Sequence, residues 1–149
     1  MLPFKKIIWP TDFSEPSYEA LKAAGELAEK FSSVLYAVHV LPILPVIAGP
    51  TGPSGFNVSL YQEEMEKSAK KSMEEALETK VPKQIKTVSV IKQGDAAREI
   101  TETADKEDAD LIVISTHGET GWKHFVFGSV AEKVVRLSSI PVLTIHAPK

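Results

Sequence analysis

KKIIWPTDFSEPSYEALKAAGELAEKFSSVLYAVHVL, residues 5–41, decides the fold. Lys5 to Trp9 is a short apolar run stopped by Pro10-Thr11-Asp12, and Val34 to Leu41 is a β-branched run stopped by Pro42. Continuous apolar runs of this length suit strands buried on both faces. Between them Ala20, Leu21, Ala24, Leu27, Ala28 and Phe31 recur at helical spacing, with Ser14 as the N-cap and Pro16 tolerated in the first turn. The stretch is therefore a β-α-β unit.

Working outward, the same alternation continues. A helical pattern places Tyr61, Met65, Ala69, Met73, Ala76 and Leu77 on one face and charged residues on the other, ending before Pro82. Ile85 to Ile91 reads as a third strand, Ala96 to Lys106 as a third helix and Leu111 to Ile114 as a fourth strand. Val130 to Leu137 then reads as a fourth helix and Ile140 to Ile145 as a fifth strand. Strict alternation predicts an α/β fold, a doubly wound five-stranded parallel sheet with helices on both faces and right-handed crossovers. Pro42 to Asn57 carries four prolines and three glycines, too many breakers for a helix or an inner strand, and reads as a surface loop at 42–57.

The 149 residues suit one domain, 1–149, and 43% hydrophobic with 25% charged residues is a globular composition. A net charge of −3 provides no field that would hold nucleic acid or an anionic membrane, so neither is expected as a partner. With no cysteine, disulfides, thiolate chemistry and cysteine metal sites are excluded. Ile7-Ile8-Trp9 ends at Pro10 and is too short for a signal-peptide core, and no stretch reaches membrane-spanning length. The chain is expected to be cytoplasmic.

In an open doubly wound sheet, ligands bind beyond the carboxyl ends of the strands where the strand order reverses. With an order of 3-2-1-4-5, that gap brings Pro10-Thr11-Asp12 opposite Ser115-Thr116-His117-Gly118. Gly128-Ser129 then opens a helix, whose unpaired N–H groups and partial positive charge suit an anion, and a glycine there lets a ligand oxygen approach the backbone. Ser129-Val130-Ala131-Glu132 also fits a capping box, with Ser129 as N-cap and Glu132 returning a bond. Asp12 suits ribose hydroxyls, although Asp after a strand is commonly a turn or capping residue. Lys123 could neutralise phosphate from the same loop, although an exposed loop lysine is more often just solvated; Gly118 and Gly121 also suit turns, and Trp122, Phe125 and Phe127 resemble a packing cluster that anchors the glycine loop rather than a cofactor box. His117 and His124 lack metal-ligand spacing, so no metal site and no catalytic residue is assigned. P-loop, G-x-G-x-x-G and G-x-S-x-G motifs are absent, which removes the main support for NTPase, dehydrogenase and hydrolase readings.

Ile7 to Ser14, Ala37-Val38-His39-Val40, Gly94-Asp95-Ala96, Ala109 to Ile114 and Thr116 to Val142 together resemble the universal stress protein family over nearly the whole chain. Gly128-Ser129-Val130-Ala131-Glu132-Lys133-Val134 followed by Ile140-Pro141-Val142-Leu143 is the most specific part. Nucleotide-binding members carry G-x2-G-x9-G-[S/T], which Gly118, nine further residues and Gly128-Ser129 match, with Ser115 at the first glycine. That serine adds a Cβ where the ligand approaches, and its hydroxyl can donate a compensating bond.

The resemblance implies an adenine nucleotide alpha hydrolase-like sheet of order 3-2-1-4-5 and a homodimer joined through strand five, Val142 to Ile145. It implies ATP, or ADP or AMP, as ligand, with Mg²⁺ held through the phosphates. Asp12 would contact ribose, Val40 would line the adenine pocket, and Gly118, Gly128, Ser129 and Val130 would hold phosphates. Pro10, Thr11, Ser115 and His117 complete the expected nucleotide site. The leading expectation is an ATP-binding regulatory or stress-response dimer with little or no catalysis, its protein partners unknown. The alternatives are an interaction or chaperone-like dimer that binds no nucleotide, motivated by Ser115, and a slow ATPase using Asp12, His117 or Lys123.

Overall fold

The computed structural model describes residues 1–44, 57–118 and 127–148. Its elements run β1 (Lys6–Pro10), α1 (Glu15–Phe31), β2 (Val34–Leu41), α2 (Val58–Lys80), β3 (Thr87–Gln93), α3 (Ala96–Lys106), β4 (Leu111–Ser115), α4 (Ser129–Leu137) and β5 (Val142–Ile145). They form the expected five-stranded sheet in the order β3-β2-β1-β4-β5, with every pairing parallel. β1 lies at the centre, where Ile8 registers with Tyr36 on one side and Ile112 on the other.

Because successive strand residues point to opposite faces, the sheet divides its apolar side chains between two cores. Ile7, Trp9, Leu35, Ala37 and Val113 pack with Ala20, Leu21 and Ala24 of α1 and Met73 of α2. Ile8, Val38, Ile112 and Ile114 pack with Ala97, Ile100 and Ala104 of α3 and Ala131 and Val134 of α4. Trp9, Ile7, Ile8, Ile112 and Val113 have no measurable exposure, as the continuous apolar strand runs require.

Helix boundaries follow local chemistry. Ser14 caps α1 by accepting the Ser17 N–H, Pro16 sits in the first turn, and Ser32 ends the helix in the left-handed region at φ 54°. Asn57 caps α2 through the Leu60 N–H, and Asp95 caps α3 through the Arg98 N–H. β3 begins two residues later than its apolar run suggests. Ile85 closes a turn onto the Pro82 carbonyl and is buried there ahead of the strand. β5 begins after Pro141, which has no N–H for a ladder but accepts from Ile112 through its carbonyl.

α4 differs from its sequence reading in one respect. Gly128, at φ −69° and ψ 159°, is the N-cap, and Ser129 is already helical. The capping box is therefore not formed. Glu132 instead contributes its N–H to the Gly128 carbonyl, and its carboxylate faces Arg136 at 3.7 Å. No described helix is long and apolar enough to cross a membrane. Of the surface loop at 42–57, residues 45–56 lie outside the described residues.

Candidate functional site

The tips of β1 and β4 part at the strand-order reversal, and a cavity of about 280 Å³ lies between them. The ten residues expected to form the nucleotide site all line it. Pro10, Thr11 and Asp12 come from the end of β1, Val40 from β2, Ser115, His117 and Gly118 from the end of β4, and Gly128, Ser129 and Val130 from the head of α4. Gly121, Trp122, Lys123, His124 and Phe125 lie outside the described residues, whereas Phe127 is described and 38% exposed.

The β1 tip is built by hydroxyl groups. Thr11 N–H continues the ladder to the Val38 carbonyl at 2.9 Å. Phe13 N–H donates to Thr11 Oγ1 at 2.9 Å, Thr11 Oγ1 and Ser17 Oγ are 2.8 Å apart, and Ser17 Oγ donates to the Ser14 carbonyl at 2.8 Å. Since Ser17 spends its only hydroxyl hydrogen on that carbonyl, Thr11 is the donor to Ser17. Phe13 sits at φ 63°, a region a bulky side chain occupies only under constraint. Its ring lies 4.5 Å from that of His39, which is bound through Nδ1 to the Thr11 carbonyl at 2.7 Å. A carbonyl only accepts, so His39 carries a hydrogen at Nδ1.

The β4 tip closes toward it. Thr116 N–H donates to the Ile145 carbonyl at 2.9 Å, and the wholly buried Thr116 Oγ1 is 2.9 Å from His117 Nδ1 and 3.1 Å from His146 Nδ1. Ser115 Oγ donates to the His117 carbonyl at 2.8 Å. The serine at the motif's first position thus ties down its own turn.

Two glycines show where backbone is approached closely. A Cβ on Gly118 would stand 2.5 Å from Asp12 Oδ2, and a Cβ on Gly128 would stand 3.1 Å from the Thr116 carbonyl oxygen. Gly128 N–H donates to that same carbonyl, which joins the head of α4 to the end of β4. The result is a recess with a carboxylate on one wall and the N-terminal end of a helix on the other, suited to a ligand that has both hydroxyl donors and an anionic group. Nearby, burial first and then Glu15, Glu75 and Asp12 raise the Tyr18 pKa above its ordinary value. Among the described residues no group of three His, Cys, Asp or Glu is placed to hold a metal ion.

Ser17, Val38, Ala96, Ile100 and Ala131 also line the cavity and were not foreseen as site residues. Ser17, Ala96 and Ala131 lie in the first turns of α1, α3 and α4, whereas Val38 and Ile100 lie inside β2 and α3, where their apolar spacing signals a core rather than a cavity wall.

Comparison with known proteins fits this architecture. The profile described as the Universal stress protein family matches residues 3–146. Universal stress protein MJ0531 of Methanocaldococcus jannaschii is 39% identical over 147 residues, covering 98% of this chain and 84% of the relative. Universal stress protein MJ0577 of the same organism is 30% identical over 155 residues, covering 95% and 94%. A solved universal stress protein from Archaeoglobus fulgidus in complex with dAMP is 23% identical with a TM-score of 0.66, covering 97% of this chain and 99% of that one, and speaks for the fold. With nearly its full length matched by the profile and by both relatives, this chain belongs to the universal stress protein family.

Proposed function

We propose that this chain is a cytoplasmic, adenine-nucleotide-binding regulatory or stress-response protein that acts as a homodimer and has little or no intrinsic catalysis. The observation that carries the reading is the close approach at Gly118, where a Cβ would stand against the Asp12 carboxylate, together with Gly128, which lets the head of α4 come against the Thr116 carbonyl at the end of β4. In this assignment Asp12 accepts from ribose, and Val40 lines the base pocket. Gly118, Gly128, Ser129 and Val130 face the phosphates, while Pro10, Thr11, Ser115 and His117 shape the remaining wall. The dAMP held by a protein of the same fold makes adenosine monophosphates natural first probes. ATP is the ligand we assign to this chain, with ADP or AMP as shorter occupants and Mg²⁺ carried by the phosphates.

Titration calorimetry with ATP, ADP and AMP, with and without Mg²⁺, tests the reading; heat of binding below millimolar ligand is expected, and its absence for all three removes it. The interaction-only alternative loses its motive because Ser115 turns its hydroxyl onto the His117 carbonyl. Ser115→Gly, which restores the family motif, is therefore expected to change nucleotide affinity by no more than about threefold, under 1 kcal/mol. A gain of roughly tenfold would instead mean that the serine side chain obstructs the ligand.

The dimer is assigned to β5, Val142 to Ile145. This strand ends the sheet, and Leu143 on it is 38% exposed. An unpaired strand edge with an exposed apolar side chain is a template for a second strand.

A further inference from the structure

We propose that Ser14 is a positioning residue for ligand binding, holding the Asp12 carboxylate so that it presents itself to sugar hydroxyls; this rests on the nucleotide reading above. Asp12 Oδ1 receives both the Ser14 N–H at 3.0 Å and the Ser14 hydroxyl at 2.5 Å. Two donors on one oxygen fix the plane of the carboxylate, and its other oxygen is carried against Gly118. Ser14 is itself immobilised. Its Oγ accepts the Ser17 N–H at 3.3 Å as the N-cap of α1, and its carbonyl accepts the Ser17 hydroxyl at 2.8 Å. The left-handed turn at Phe13, anchored by Phe13 N–H on Thr11 Oγ1, brings Asp12 and Ser14 together. Ser14 is only 8% exposed, and it is not among the residues that line the cavity. Its influence on a ligand therefore passes through Asp12. One hydroxyl thus serves two masters: it receives a helix amide, and it sends its hydrogen to the carboxylate.

A lost helix cap and a lost aim are separable, because only the second depends on the ligand's hydroxyl groups. Calorimetric affinities for AMP and for 2′,3′-dideoxy-AMP are compared in the wild type, Ser14→Ala, Ser14→Gly and Ser14→Thr. Glycine is a serviceable N-cap that lacks the hydroxyl, so Ser14→Gly keeps the helix start while removing the bond to Asp12. The wild type is expected to prefer AMP by roughly tenfold or more, as hydrogen bonds to a charged group imply. In Ser14→Ala and Ser14→Gly that preference is expected to shrink to about threefold or less, with dideoxy-AMP bound as in the wild type, and Ser14→Thr is expected to restore it. Equal weakening toward both ligands, leaving the ratio intact, would mean a purely structural cap and would overturn the proposal. A wild type that binds both compounds equally would also overturn it, while leaving nucleotide binding in place. A wild type that binds neither would remove the nucleotide reading and this proposal together.

Discussion

Gly118→Ala is expected to weaken adenine-nucleotide binding by roughly thirtyfold, ~2 kcal/mol, while the protein stays folded. The added Cβ would stand 2.5 Å from Asp12 Oδ2, closer than real Cβ contacts come. Among the described glycines only Gly94 has a positive φ, so an alanine at 118 meets no backbone objection. Something must nevertheless move, and the carboxylate is the far end of a side chain. Rotating it away separates Oδ1 from the Ser14 N–H and hydroxyl and turns the acceptor from the place where ribose donors would meet it. The loss is therefore that of charge-assisted hydrogen bonds rather than of the fold. Calorimetry of the variant, with a thermal melt as control, checks both halves; unchanged affinity would mean that Asp12 does not touch the ligand.

Trp9→Ala carries the largest stability loss. Trp9 is wholly buried in the core shared by β1, α1 and α2, and its indole N–H donates to the Ser17 carbonyl at 2.9 Å. Truncation leaves a cavity and removes the indole bond to the Ser17 carbonyl, and a cost of about 3–5 kcal/mol is expected, a large share of what holds a domain together. For a chain of this length the melting midpoint should fall by on the order of 10 °C. Urea unfolding is the measurement, and a loss below about 1 kcal/mol would contradict the packing described. Ser17 lines the cavity and hydrogen-bonds Trp9, so the damage should also reach the candidate site.

Periodicity and breakers were enough to read β-α-β alternation, the Ser14 cap and both sheet faces, because these depend on which residues seek burial and which cannot continue an element. The cavity's location followed from one topological rule, and Asp12 does meet Gly118 across the gap that the rule identifies. What stayed hidden was short-range. Nothing in Gly128-Ser129 reveals that the glycine, rather than the serine, occupies the cap, since the two registers differ by one residue and both satisfy the helix pattern. Nothing in Ser115 announces a bond to the His117 carbonyl, because a hydroxyl chooses its acceptor only once the turn has formed. Nor does the sequence show that Thr11 and Ser17 meet, since only the helix brings their oxygens to 2.8 Å.

Thr116 lies between two imidazoles, and a threonine hydroxyl owns a single hydrogen. It cannot give that hydrogen to both Nδ1 atoms, so at least one of His117 and His146 must bear a hydrogen on that nitrogen. The rings are therefore not free to choose tautomers independently. Whatever settles the choice for the ring on the cavity wall constrains the ring just beyond the outermost strand, and nitrogen NMR of the two imidazoles would read that bookkeeping directly.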